Sequence, residues 1–329
     1  MVNNLRKTDP INPSEKILDE ASGIIREGGI VAFPTETVYG LGADATNDSA
    51  CLRIFEAKGR QSDNPLIVHI SDFDQLSEIS GGVSHAVLQR LEQVWPGPLT
   101  LVLPNRKAGK VATVGLGTVA VRMPAHKIPL EIIRRSGKPI AAPSANKSGR
   151  PSPVTAREVV EDLGDKADLV IDGGKSFFGV ESTVIQIRPD DILILRPGAF
   201  NAEDVKKLFQ MKVRISGMQS DSPLSPGMKY RHYAPSKKLI LAPDENYILE
   251  KCESGGNFAV LGSKELAAKL NCETIVLGSR YDLYEVARNL FPSFRMLDRG
   301  KFDYGIIEPF EERGIGLAIM NRIRKASEG

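Results

Sequence analysis

Residues 30–42 read IVAFPTETVYGLG, and they set a pattern that recurs along much of the chain. The first four form a short apolar run that is typical of a buried strand, which Pro34 ends. The preceding stretch, 15–28, repeats apolar side chains at helical spacing and ends in a pair of glycines, which predicts a helix. A helix, a buried strand and a loop rich in hydroxyl groups indicate an α/β protein.

Further apolar runs follow at similar intervals. The predicted strands are 65–70, 99–104, 118–124, 139–143, 169–174 and 182–187, and the predicted helices are 49–58, 84–94, 127–136 and 155–163. This alternation predicts an α/β domain whose sheet is covered on at least one face. Several strands end directly in Pro, Gly, Ser, Thr or Asn, at the edge where open α/β sheets place their ligand crevice.

The amino-acid composition changes after the first predicted domain, which we place at residues 1–212. Residues 213–237 contain several Pro, Gly and Ser and no apolar periodicity, which predicts a linker. Because it also carries the cluster KYRHY (229–233), we expect this linker to act as a lid. Residues 238–329 alternate strands and helices again and are predicted to form a second, small α/β domain.

The composition limits the classes of function. The 329 residues contain 43 Lys+Arg and 41 Asp+Glu, a formal charge of +2, with 41% hydrophobic and 26% charged residues. These values exclude wholesale disorder, and the length suggests two domains. The charge balance argues against a broad basic face for nucleic acid.

The sequence predicts a cytosolic, globular protein without membrane contact. No apolar run approaches the ~18 residues of a membrane helix, and the N-terminus does not resemble a secretory signal. Three cysteines, Cys51, Cys252 and Cys272, are too few and too scattered for a disulfide framework or a zinc site.

Common nucleotide and metal motifs are incomplete. The stretch GGKS (173–176) lacks the earlier glycine of a phosphate-binding loop, and the pairs GLG (115–117) and GIG (314–316) do not complete a dinucleotide fingerprint. The four histidines are spread out, without metal-ligand spacing. A Walker-type ATPase, a Rossmann dehydrogenase and a zinc hydrolase are therefore disfavoured.

Lys58 and Arg60 are separated by one glycine at the end of a predicted helix. Two such cations can surround a polyphosphate, with Arg as a bidentate donor and Lys as a mobile point charge. Spacing alone favours a solvated helix C-terminus instead.

Other polar residues also permit two interpretations. The turn PSANKSG (143–149) favours an ordinary cap or turn. Arg122, within an apolar strand, is either paired inside the fold or directed at a ligand carboxylate. For His69, also on a predicted strand, a satisfied core histidine is slightly favoured over a ligand.

Nine stretches in order resemble the two-domain Sua5 branch of the Sua5/YrdC/YciO family, over about residues 12–327. They are PTETVYGLG (34–42), KGR with NPL (58–66), WPGPLT (95–100), VAVRMP (119–124), APSANKSG (142–149), GVESTVI (179–185), LRPG (195–198), SPGMKYRHYAP (225–235) and GLAIMNRIRKAS (316–327). The resemblance implies a YrdC-like α/β domain, a twisted mixed sheet with helices around a concave, positively charged cavity, and a small Rossmann-like C-terminal domain.

The implied activity is synthesis of threonylcarbamoyl-AMP from L-threonine, bicarbonate and ATP, with release of pyrophosphate, for threonylcarbamoyladenosine at position 37 of tRNA. Such an enzyme is a nucleotidyltransferase that uses Mg²⁺ with ATP. Its product passes to tRNA threonylcarbamoyl-transfer machinery, while direct tRNA binding stays open.

The resemblance also implies roles for individual residues. Lys58 and Arg60 match the catalytic basic pair at the phosphates. Matches to ATP contacts are Lys58, Arg60, Asn64, Thr118, Ser144, Asn146, Ser152, Arg196 and His232, and matches to L-threonine contacts are Thr37, His69, Arg122, Ala142 and Ser182. No residue is implied as a metal ligand. One departure is Gln61, where many relatives have Pro, and it removes no ligand.

Two other functions are considered. The first is an RNA-binding or ribosome-associated module, which would show a steep salt dependence and no ATP binding. The second is carbamoyl transfer from carbamoyl phosphate, as in related hydrogenase-maturation domains, which carry additional domains absent here.

Overall fold

The computed structural model describes residues 4–216 and 233–328, which form two sheets with surrounding helices. The strands of the larger sheet are β1 (Leu5–Lys7), β2 (Val31–Phe33), β3 (Gly40–Asp44), β4 (Ile67–His69), β5 (Leu99–Pro104), β6 (Thr118–Arg122), β7 (Ile140–Ala141), β8 (Leu169–Asp172), β9 (Thr183–Ile187), β10 (Asp191–Arg196) and β11 (Lys212–Ile215). Its helices are α1 (Glu15–Arg26), α2 (Asp48–Lys58), α3 (Phe73–Ile79), α4 (His85–Leu91), α5 (Lys110–Thr113), α6 (Lys127–Ser136), α7 (Ala156–Leu163) and α8 (Ala202–Phe209).

The larger sheet is mixed, with strand order β1-β8-β2-β3-β7-β4-β6-β5-β9-β10-β11. In its centre β4 and β6 run parallel, while β7 and β5 are antiparallel to them. The predicted mixed α/β sheet is therefore confirmed. Sequence patterns missed β3, whose stretch GLGAD has no strand-like run, the short outer strand β1, and β10 and β11 at the other end of the sheet.

The two faces of the central strands have different neighbours. Val68, Val119 and Val121 belong to the main apolar core, which α2 also joins through Ile54. Alternate residues point to the other face, where Ile67 belongs to a smaller apolar cluster. The members of that cluster are Ile67, Val102, Ala120, Val184 and Leu195. Helices thus cover the first face. On the second face, α1 and α6 pack over β2, β7 and β8, and the part around β4 and β6 borders the cavity described below.

The C-terminal unit has a parallel sheet of order β12-β15-β13-β14, with helices on both faces. Its elements are β12 (Lys238–Leu241), α9 (Glu245–Ser254), β13 (Phe258–Ser263), α10 (Lys264–Ala267), β14 (Thr274–Gly278), α11 (Leu283–Arg299), β15 (Tyr304–Ile307) and α12 (Gly316–Ser327). The apolar cluster under α11 and α12 also contains Val38, Val154 and Val180 of the first domain. The two domains therefore share a core.

Strand β11 crosses the boundary predicted at residue 212: it continues to Ile215 and pairs in parallel with β10. Arg214 on this strand forms an ion pair of 2.7 Å with Asp191 on β10. This pairing holds residues 213–215 in the sheet. Of the predicted lid, residues 217–232 lie outside the described residues.

The cysteines show a feature that their spacing did not reveal. Cys252 on α9 and Cys272 before β14 form a disulfide bond, while Cys51 is buried and free. The two cysteines are 20 positions apart in the sequence, and the fold brings their Cα atoms to within 5.6 Å. No described helix is long and apolar enough to cross a bilayer.

Candidate functional site

A cavity opens beside the part of the larger sheet around β4 and β6. Its lining includes five cationic side chains and one carboxylate, which makes the site strongly positive. The cations are Lys58, Arg60, Arg122, Arg150 and Arg196, and the carboxylate is Glu181. Such an excess of cations in a concave site favours an anionic ligand.

Helix α2 and its C-cap place the basic pair. Asn47 caps the helix by accepting from the Ala50 amide, and Gly59 ends it in the left-handed conformation at φ 58°. Glycine adopts this conformation without a steric penalty, and the chain therefore turns between Lys58 and Arg60. Lys58 is only 1% exposed. The interpretation as a solvated helix end is therefore wrong for Lys58.

Lys58 is held by the turn that follows β7. Its Nζ donates to the carbonyl oxygens of Ser144 and Asn146, at 2.5 Å each. Burial, and next the neighbouring Arg60, lower the pKa of Lys58 well below its usual value. The Asn146 amide in turn donates to Lys147 and Arg150 carbonyls at 2.9 Å. Lys58 therefore links α2 to the polar turn of 143–149.

Arg60 points into the same cavity from the loop after α2. It donates to the Asn64 carbonyl at 3.1 Å. Burial lowers the pKa of its guanidinium to about 10, which leaves it charged at neutral pH. The Asn64 amide is buried without a hydrogen-bond partner among the described residues, and Asn64 is not part of the cavity lining.

A second group of predicted residues meets at the ends of β4 and β6. His69 and Arg122 are directly paired in the parallel register of these strands. The Ala142 amide donates to the Ile67 carbonyl at 2.8 Å, and Thr37 shares a hydrogen bond of 2.8 Å between hydroxyls with Thr35. The structure thus brings together side chains separated by more than eighty positions in the sequence.

Burial keeps His69 neutral. The buried ring and the adjacent Arg122 guanidinium lower the pKa of His69 to about 3. Its Nδ1 is buried and has no hydrogen-bond partner among the described residues. His69 is thus a neutral imidazole in the lining of the cavity.

Glu36 was missed by sequence reasoning, although it lies within the quoted loop. Its carboxylate oxygen Oε1 lies 2.6 Å from Nη2 of Arg122, and the two side chains are 7% and 4% exposed. The contact is an ion pair without hydrogen-bond geometry, because both atoms lack a hydrogen-bond partner in the described chain. Arg122 also donates to the Gly97 carbonyl at 3.3 Å. Arg122 could be singled out from the sequence because it is a charged residue within an apolar strand. No local sequence pattern indicated that Glu36 is its partner.

Arg196 closes the other side of the cavity. It donates to the Ser182 carbonyl at 3.0 and 3.2 Å and to the Ser182 hydroxyl at 3.2 Å. The Ser182 hydroxyl also contacts that of Thr100 at 2.8 Å. Lys58, Arg60 and Arg196 all line the cavity, where they can contact an anionic ligand.

The predicted residues divide into three sets by position. The cavity lining contains Thr37, Lys58, Arg60, His69, Arg122, Ala142, Ser144, Asn146, Ser152, Ser182 and Arg196. Thr118 lies at the far end of β6, on the same face as Arg122 and about 13 Å along the strand, outside the lining. His232 lies outside the described residues. Lining residues that were not predicted include Glu181 and Tyr233.

The site has no acidic cluster of the kind that holds a metal. Among the described residues, no group of three or more His, Cys, Asp or Glu side chains could coordinate an ion. Glu181 is the acidic member of the lining, and its two oxygens already accept from Ser152 and Arg322.

Two family models cover nearly the whole chain. The model described as "Telomere recombination", of the Sua5/YciO/YrdC type, matches residues 23–198. The model described as "Threonylcarbamoyl-AMP synthase, C-terminal domain" matches residues 200–328. The second match begins before β11.

Individual relatives agree with these models. The chain is 47% identical to the threonylcarbamoyl-AMP synthase of Pyrococcus abyssi, over 93% of both chains. It is 42% identical to that of Bacillus subtilis, over 98% of this chain and 96% of the relative. The crystal structure of P. abyssi Sua5 complexed with L-threonine superposes with a TM-score of 0.91 at 44% identity, covering 98% of this chain and 97% of the other. The chain therefore belongs to the threonylcarbamoyl-AMP synthase family, in its two-domain Sua5 form.

Proposed function

We propose that this protein makes threonylcarbamoyl-AMP from L-threonine, bicarbonate and ATP and releases pyrophosphate. The observation that carries the proposal is the division of one cavity into two parts. Lys58, Arg60 and Arg196 line one part, and His69 and Arg122, at the ends of β4 and β6, line the other. Glu36, which is not itself in the lining, pairs with Arg122. The first part suits a triphosphate and the second an amino acid.

The second part has complementary charges for a zwitterion. The α-carboxylate of threonine would pair with Arg122, and its ammonium would reach Glu36, because these two groups of an amino acid are adjacent. His69 and Thr37 would contact its polar groups. The buried surroundings strengthen such contacts relative to water.

The reaction requires two anions to meet. The amine of threonine and bicarbonate give a carbamate and water, and the ammonium proton passes to a base. The carbamate oxygen then attacks the α-phosphorus of ATP and displaces pyrophosphate. Positioning and charge neutralisation dominate such a step, and Lys58, Arg60 and Arg196 supply both. Mg²⁺ would enter with ATP and neutralise phosphate charge.

The lid, cytoplasmic location and delivery of the product for tRNA modification remain predictions. A lid formed by residues 217–232 would close the site and protect the carbamate from water. Tyr233, directly after this segment, lines the cavity.

A pyrophosphate-release assay tests the function. The wild-type protein should release pyrophosphate when threonine, bicarbonate, ATP and Mg²⁺ are all present, and little when any one substrate is omitted. Arg196→Gln should lose most of this activity, while Lys107→Gln, at an exposed ion pair with Glu78, should keep it. Release that continues without bicarbonate, or release of phosphate instead, would contradict the proposal.

A further inference from the structure

Arg322, on helix α12 of the C-terminal domain, contacts two residues that line the cavity. Arg322 is 0% exposed, and its Nε and Nη2 both donate to Oε2 of Glu181 at 3.0 Å. Its Nη1 donates to the Pro197 carbonyl, and its guanidinium carbon lies 5.4 Å from the ring centroid of Tyr233. Glu181 and Tyr233 both line the cavity.

Glu181 also contacts Ser152, which is one of the predicted nucleotide-binding residues. Its second oxygen, Oε1, accepts from the Ser152 hydroxyl at 2.5 Å. Burial alone would raise the pKa of the Glu181 carboxyl, but Arg322, then Arg196 and the Ser152 hydroxyl, bring it below its usual value. Glu181 is therefore ionised and has hydrogen-bond partners on both oxygens.

The pairing leaves Arg196 available to a ligand. After Arg322, Arg196 is the cation that acts most strongly on Glu181. Without Arg322, the buried carboxylate would turn to the next guanidinium, because an unpaired buried charge is costly. A Glu181–Arg196 pair would occupy a cation that a triphosphate needs.

Several contacts fix the C-terminal domain so that α12 can do this. Arg295 on α11 pairs with Asp162 on α7 at 2.8 Å, with both side chains 3% exposed. Gly179 has φ 74°, and a Cβ there would lie 2.4 Å from the Cα of Arg288 on α11. Only glycine therefore permits the close approach of the two backbones.

We propose that Arg322 is a positioning residue for the nucleotide: it holds Glu181 and Ser152 in the cavity wall and keeps Arg196 free for the phosphates. The C-terminal domain thereby completes the ATP site. This inference rests on the proposed function only in taking ATP as the ligand.

The test measures ATP and threonine affinities by calorimetry on the full chain. Arg322→Met should weaken ATP binding about tenfold or more, since it strands a buried charge, and change threonine affinity less than about threefold. Removing both charges in Arg322→Met/Glu181→Gln should recover part of the ATP affinity. Arg299→Met removes an ion pair with Glu161 across the same domain interface and should leave both affinities unchanged.

The outcomes separate the two proposals. A folded Arg322→Met protein that binds ATP within twofold of wild type, or that loses threonine and ATP affinity equally, would overturn the role of Arg322. If Arg322→Met does not fold, the double variant Arg322→Met/Glu181→Gln provides the test. An ATP affinity at or below one hundredth of the wild-type affinity would overturn the role of Arg322. An affinity within about tenfold of wild type would support that role. Wild-type protein that binds ATP but releases no pyrophosphate would refute the function alone.

Discussion

The substitution Glu36→Gln tests whether the buried pair with Arg122 recognises the ammonium of threonine. The two side chains touch at 2.6 Å and are almost fully buried, so the negative charge of Glu36 acts at short range in a poorly screened site. The matched ligand is 3-hydroxybutanoate, which keeps the carboxylate and hydroxyl of threonine but lacks the amine. Comparing the two ligands isolates the contact to the ammonium.

The expected magnitude follows from the contact that is lost. A hydrogen bond to a charged group contributes about 1.5–3 kcal/mol, or roughly 10- to 100-fold in Kd. Glu36→Gln should therefore reduce the preference for threonine over 3-hydroxybutanoate by about that factor. The analogue itself should bind the variant more tightly than wild type, because Glu36 no longer competes for Arg122.

Calorimetric titration of both ligands into both proteins measures the four dissociation constants. Glu78→Gln is the control, because its exposed pair with Lys107 lies at 62% and 60% exposure and should affect neither ligand. An unchanged preference for threonine in Glu36→Gln would show that Glu36 serves only as the counter-charge of Arg122 in the free protein.

Three further predictions concern the basic pair, acid stability and the domain interface. Arg60→Ala should weaken ATP binding at least tenfold in a filter or calorimetric assay, while the melting temperature changes little. Lys58→Met should weaken ATP binding as well and should also lower the free energy of unfolding by about 2 kcal/mol or more, because two buried carbonyls lose their donor. Chemical denaturation should show that the free energy of unfolding falls from pH 6.5 toward pH 4, because the unfolded chain binds a proton at His69 that the folded state accepts only near its pKa of about 3. His69→Asn should reduce this pH dependence by up to about 1.4 kcal/mol per pH unit. An identical pH dependence in the variant would contradict the low pKa of His69. A chain that ends at Ile215 should be inactive and poorly soluble, because it exposes the shared core and leaves Glu181 unpaired; a soluble, fully active fragment would contradict the shared core.

Much of the fold could be predicted because its signals are local. Apolar runs and helical periodicity indicated the central strands and most helices, and the structure confirms them within a few residues at each end. Two of the strands that were missed have no such signal: β3 is rich in glycine and alanine, and β11 alternates charged and apolar residues at the edge of a sheet. Strand β10, DILILR, was missed although it contains an apolar run. The assignment of β3 depends on its hydrogen bonds to β2 and to β7, which lies about 100 positions later.

The candidate site was predictable only in part. Motif resemblance singled out eleven residues of the cavity lining, but spacing alone favoured the wrong environment for Lys58. Thr118, which the same resemblance assigns to ATP, lies at the other end of β6 and outside the cavity lining, and its role stays a prediction.

The sequence by itself determined the alternation of strands and helices, the polar turns at the strand ends and the family. These depend on side-chain periodicity, on caps such as Asn47 and on turn residues such as Gly59, which act within a few positions of the chain. Only the tertiary structure decided which charges meet: Arg122 with Glu36, and Arg322 with Glu181, 141 positions away. Electrostatic partners are set by distance and burial in space, and neither quantity leaves a local pattern in the order of the amino acids.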